Sequence, residues 1–204
     1  YSIIEQDHDN ISETGFDGAA SRSDNKKGVP EESCEQKSTL DYNLTVKEIL
    51  EFASTVAYKD IEFILESRTL NLALANEGMK GGYGLRVGYA ISLEANREVF
   101  GGDFLSYAMA LTAAASDARM AGCTLAAMSN SGSGNQGITV TMPVIAYSLR
   151  YGSTDTELAR ALVLSHLIAI HIKGYLGKLS ALCGCVIAAT GAACGLVYLR
   201  GGDY

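Results

Sequence analysis

From Leu179 to Leu199 the chain runs LSALCGCVIAATGAACGLVYL without one charged residue, and few folds accommodate such a stretch. A helix of that length reaches across the hydrocarbon of a bilayer, and Gly191-x-x-x-Gly195 has the spacing at which membrane helices pair. The residue types argue the other way. Ala, Gly, Cys, Ser and Thr dominate, their transfer into lipid gains little beside Leu or Phe, and no aromatic belt flanks both ends. The stretch reads as a closely packed core helix, its small side chains letting another backbone approach, at the centre of a helical bundle. No membrane is expected as a partner.

The rest of the chain supplies helices to surround it. Thr45-x-x-Glu48 is a capping box, and Val46, Ile49, Leu50, Ala53, Val56 and Ala57 follow at helical spacing, predicting a helix over 46–57. A second run, 60–76, carries Ile61, Ile64 and Leu65 on one side and meets Gly78 as a stop, so the two segments predict a helical hairpin. Leu85, Val87, Tyr89, Ile91 and Leu93 alternate with smaller or polar residues; this strand periodicity sits inside a helical pattern and leaves the type of element open. Segments 103–120, 140–150, 156–173 and 177–199 read as helices broken by glycine-bearing turns. The expected fold class is mainly α, a multi-helix bundle around a small-residue-rich central helix, with a short strand element.

Ahead of this domain, 44–204, lies a different kind of sequence. Tyr1–Ile4 reads as a short strand, and Glu5 to Lys37 is acidic, rich in Ser and Gly and poor in large apolar residues, which predicts a mobile loop. Residues 1–43 look like the end of an upstream region, and Tyr1 is not a natural start, so an internal fragment of a longer protein is expected. A net charge of −7 with no Lys/Arg-rich run argues against nucleic acid as a partner. Five cysteines, an odd number, without a secretion signal argue against a disulfide framework and for free thiols or metal ligands in the cytoplasm. Cys123, Cys185 and Cys194 read as packing residues.

The most unusual motif is Ser129 to Thr139, SNSGSGNQGIT. Gly132, Gly134 and Gly137 form a G-x-G-x-x-G, but the segment entering it, ARMAGCTLAAM, is helix-like rather than a strand, and Asp155 lies in a polar turn rather than at a second strand end. A phosphate loop would need lysine where Ile138 stands. A plain linker would not carry Asn130, Asn135 and Gln136 between apolar helices. Glycines bring backbone N–H groups close to a ligand, and a helix starting near Ile138 would aim its positive end at the same point, which suits a small carboxylate. The alternative is a tight structural loop whose Asn and Ser side chains cap neighbouring helices.

Four strings together carry a resemblance: Ser116-Asp-Ala-Arg-Met120, SNSGSGNQGIT followed by TMPV, Leu164-Ser-His-Leu167, and Lys178-Leu-Ser-Ala-Leu-Cys183. The chain resembles the L-cysteine desulfidase family, related to the alpha chains of iron–sulfur L-serine dehydratases, from about Leu44 to Gly201. The resemblance implies a β-elimination without pyridoxal phosphate, in which L-cysteine yields hydrogen sulfide and aminoacrylate, then pyruvate and ammonia. It also implies a 4Fe-4S cluster as Lewis acid. L-serine is the alternative substrate, and a non-catalytic small-molecule-binding domain is the alternative from another class.

Residue by residue, Cys183 matches the family's cluster cysteine, and the loop residues Ser129, Asn130, Ser131, Gly132, Ser133, Gly134, Asn135 and Gln136 would bind substrate. Arg119 could fork onto the substrate carboxylate, the plainer reading being an ion pair with Asp117 or a neighbouring helix. His166 and Lys178 are candidates for the base that takes the α-proton, a packed core histidine being the alternative for His166. On one continuous helix Cys194 would stand about 16 Å from Cys183, and Cys185 would face nearly the opposite way, so neither is expected to share its cluster. The family's other cluster cysteines fall in Gly-Cys-Thr-Glu-Pro and Cys-Asp-Gly segments that do not occur here, and further ligands are expected from outside this chain. The expected partner is an amino-acid substrate, and a homodimer is a compatible assembly.

Overall fold

The computed structural model describes residues 44–176 and 183–204 with their side chains, together with the backbone of two short strands. The strands β1 (Ser2–Ile3) and β2 (Ile11–Glu13) pair antiparallel. β1 lies within the expected strand, and β2 falls in the segment expected to be a loop. The rest of that acidic segment, Lys178 and the residues 179–182 of the LSALC string lie outside the described residues. Residues 1–43 and 44–204 form separate compact units, and the description that follows concerns the second.

The described part of that unit is helical throughout. α1 (Val46–Thr55) starts at the capping box: Thr45 Oγ1 accepts from the Glu48 backbone N–H at 3.3 Å, and the Glu48 carboxylate accepts from the Thr45 N–H at 2.7 Å. It turns Ile49 and Ala53 inward. The expected second helix is divided into α2 (Tyr58–Ile61), a 3-10 turn (Glu62–Leu65) and α3 (Glu66–Gly78). α3 ends at Gly78, the expected stop, and the missing side chain of Gly78 lets α3 press on the backbone of Ala114.

The alternating segment is a helix, α4 (Val87–Ser92). Period two loses here because Gly88 and Ile91, three apart, face inward, and Gly88 meets the backbone of Ala110 and Ala114 so closely that any Cβ would collide. Both glycines pack on α6 (Phe104–Met120), whose inner face is largely alanine. Asp103 caps α6 by accepting from the Ser106 N–H at 3.0 Å. The short α5 (Arg97–Phe100) precedes it.

The most enclosed elements are α7 (Gly134–Tyr151) and α8 (Asp155–Leu176), with Ile138, Val140, Met142, Val144, Ile145, Leu158 and Leu162 wholly buried. α8 begins with a second capping box, Thr154 with Glu157. Its Arg160 donates to the Ala53 and Val56 carbonyls at 2.7 and 3.0 Å, satisfying acceptors that the end of α1 leaves open.

α9 (Gly184–Leu199) is the described part of the uncharged stretch. Only one side is inward, with Ile187, Ala188, Gly191, Ala192 and Gly195 against α7 and α8, while Val186 and Val197 are about half exposed. α7 and α8 therefore occupy the position expected of this helix. Gly191 and Gly195 let it approach the backbone and hydroxyl of Ser165 on α8. No described helix is long and apolar enough to cross a membrane.

Candidate functional site

The glycine motif divides into a hairpin and a helix start. Asn130 and Ser133 exchange backbone hydrogen bonds of 3.1 and 3.0 Å across Ser131 and Gly132. Both central residues have positive φ, 49° and 77°, as the tight two-residue turn with matching hand requires. Ser133 is then extended and caps α7, its hydroxyl accepting from the Gln136 N–H at 3.3 Å. This is the capping role the structural alternative assigned to the loop's serines. Gly134, Asn135, Gln136 and Gly137 form the first turn of α7, so the helix begins four residues before Ile138. Sequence favours the later start because Gly and Asn are poor helix formers. Packing overrides that preference: a Cβ at Gly137 would strike the Met128 carbonyl, and one at Gly134 would strike the Arg119 guanidinium.

A buried polar chain leads inward from the hairpin. Asn130 is 3% exposed and Gln136 is 2% exposed. The Asn130 carbonyl Oδ1 accepts from Gln136 Nε2 at 2.6 Å and from the Ser131 hydroxyl at 3.0 Å. Its amide nitrogen lies 2.9 Å from His166 Nδ1 and 3.3 Å from the His166 backbone carbonyl. The other ring nitrogen, Nε2, is buried and has no hydrogen-bond partner among the described residues. Burial pushes the His166 pKa down to about 4, so the ring is neutral at pH 7.

The outer side of the site is charged. Arg119, near the end of α6, donates to Asn135 Oδ1 at 3.0 Å, which places a guanidinium beside the start of α7. The expected pair with Asp117 does not form, because Asp117 accepts the Gly88 backbone N–H at 3.1 Å. The helical repeat explains this, since residues two apart on a helix do not face one another. A positive side chain and the partial positive end of α7 together suit an anion.

Asn71 holds this assembly in place and was not singled out from sequence. Its amide donates to Thr141 Oγ1 at 2.8 Å, and its Oδ1 accepts from the Met128 N–H at 3.0 Å, tying α3 to α7 and to the segment entering the hairpin. The signal was available: Ser67, Asn71, Leu74, Ala75 and Gly78 fall on one helical face, all buried.

Cys183 is not on a continuous helix with Cys185. It precedes α9 as an extended N-cap residue, and both side chains are exposed. The break alters the expected geometry: the Cys183 thiol is near enough to Cys185 to shift its titration. Partial burial and the neighbouring Cys183 push the Cys185 thiol up. Cys183 and Cys185 flank Gly184, where a Cβ would stand 3.0 Å from Gln136 Oε1, so the thiols border the loop. Cys123 and Cys194 are partly buried against the core, as expected for packing. Among the described residues no group of three His, Cys, Asp or Glu side chains is placed to hold a metal ion, so these residues alone do not build a cluster site. His171 lies away from this network, edge-on to Tyr175.

The family model of the serine dehydratase alpha chain matches residues 10–204. The chain belongs to that family. Its relatives include UPF0597 proteins of Oleidesulfovibrio alaskensis (48% identical over 98% of this chain and 46% of the relative) and of Aeromonas hydrophila (51% over 79% and 37%). The UPF0597 protein YhaM of Escherichia coli O127:H6 is 48% identical over 86% of this chain and 40% of its own length. The chain thus spans less than half the length of these curated relatives. No solved structure matches it. The hairpin and helix start at residues 129–137 lie within this serine dehydratase alpha-like domain.

Proposed function

We propose that this domain belongs to a lyase that removes the β-substituent of a small amino acid, with L-cysteine as substrate and hydrogen sulfide, pyruvate and ammonia as products. The observation that carries the reading is the Arg119–Asn135 contact, which sets a guanidinium beside the N-terminal turn of α7, a place made for a carboxylate. In the elimination the α-proton leaves to a base, the carbon–sulfur bond breaks with its electron pair on sulfur, and the aminoacrylate hydrolyses. The Ser131–Gly132 turn and the α7 amides would anchor the carboxylate and hold the α-carbon still while this happens. The 4Fe-4S cluster implied by the resemblance would need ligands beyond Cys183 and Cys185, and no step here is routed through it.

The test is turnover by the full-length protein purified without oxygen. Sulfide and pyruvate released from L-cysteine support the proposal. Ammonia and pyruvate from L-serine alone would move the assignment to a dehydratase. Carboxylate binding without turnover of either would leave a binding module.

A further inference from the structure

The hydrogen bonds around Asn130 fix which nitrogen of His166 carries its proton. A flipped Asn130 amide would set its oxygen against the His166 backbone carbonyl, two acceptors facing at 3.3 Å. The unflipped amide meets a donor or acceptor of the right kind at every contact. Its nitrogen therefore donates to His166 Nδ1, whose lone pair is thereby occupied, and in the neutral ring the proton lies on Nε2. That atom is the buried one without a partner among the described residues, in a residue only 8% exposed. A buried N–H with no acceptor is costly and calls for one.

We infer that His166 serves as a fixed, neutral Nε2–H donor to a carboxylate oxygen of the substrate, and that Asn130 is the positioning residue that sets this tautomer. The carboxylate in this statement rests on the proposed function; the tautomer does not. The role differs from that of a base, because the only lone pair at Nε2 is replaced by a hydrogen. It also differs from that of an acid, since a neutral imidazole that gave up Nε2–H would become an anion. Its contribution is a donor already aimed at the charge that gathers on the carboxylate as the α-proton departs. The base must then be another group, and Lys178 is the remaining candidate from the sequence.

Long-range proton–nitrogen correlation on full-length protein carrying isotope-labelled histidine reads the tautomer at pH 7 without substrate. The expected pattern for His166 is a protonated Nε2 and a bare Nδ1. In Asn130→Asp, whose carboxylate can only accept, the proton is expected to move to Nδ1. A wild-type ring with Nδ1 protonated, alone or together with Nε2, overturns the inference whether or not the protein releases sulfide. The ligand half is read by titrating L-cysteine and cysteamine, which lacks the carboxylate. His166→Leu should weaken L-cysteine binding about 10–100-fold and leave cysteamine unchanged, with His166→Gln, which keeps a donor, recovering most of the loss. Equal losses for both ligands, or none for either, would overturn it.

Discussion

Two glycine-rich regions meet α8 at consecutive residues and use glycine for opposite ends. In α9, Gly191 and Gly195 remove side chains so that one helix can lie on another, and what they approach is the Ser165 carbonyl and hydroxyl. In the 129–137 motif, Gly132 has open space around it and a positive φ, Gly134 makes room for a guanidinium, and Gly137 for a carbonyl. The residue of α8 that serves this motif is His166, one position further on. What a missing Cβ makes room for separates a packing glycine from a site glycine, and composition alone does not.

The comparison breaks most visibly in α9. Gly191→Ala should destabilise the domain by about 1–3 kcal/mol, because the added methyl meets the α8 backbone rather than a yielding side chain. Thermal melts measure it, and an unchanged or raised Tm would return Gly191 to the class of ordinary helix glycines. Acid should act through the other region. With a folded pKa of about 4 below the usual 6.5, His166 is neutral when folded and protonated when unfolded between those values. Stability is then full above pH 6.5 and falls as pH drops towards 4, by on the order of 2 kcal/mol. Denaturant titrations across that window should show this slope, and His166→Gln should flatten it.

Asn135→Ala sharpens the contrast from the ligand side. It removes the acceptor that holds Arg119, so carboxylate binding should weaken about tenfold, roughly 1.4 kcal/mol, with Tm nearly unchanged. A large Tm loss with unaltered affinity would make the loop structural. Smallest is Gly174→Ala in α8, where nothing lies within reach of a new Cβ. It should stabilise by about 0.5–1 kcal/mol through helix propensity, opposite in sign to Gly191→Ala.

What sequence could read follows from how local the deciding interaction is. The Thr45–Glu48 box spans one turn, and it placed the start of α1 correctly. The Asp103 cap that opens α6 is just as local, and the expected segment 103–120 matches that helix. The segment around Gly88 stayed open in type because what Gly88 accommodates, the backbone of α6, lies far away in the chain. The site divides in the same manner. Its loop residues stand together in sequence, whereas Asn130 finds His166 across 36 positions and Met128 finds Asn71 across 57. Such pairings become visible only once α7 and α8 are packed. The Cys183–Cys185 neighbourhood was missed for a local reason, a backbone that turns extended just before α9.

α7 begins as the proposed carboxylate turn and continues as the most buried of the described helices, from Ile138 through Ala146. A ligand held at its first turn is consequently coupled to the unfolding equilibrium of the whole domain, with no independent loop to absorb its binding energy. An occupant at a hundred times its dissociation constant should raise global stability by about 2.7 kcal/mol, so a thermal-shift screen of small carboxylates can find the natural ligand before any activity has been assigned.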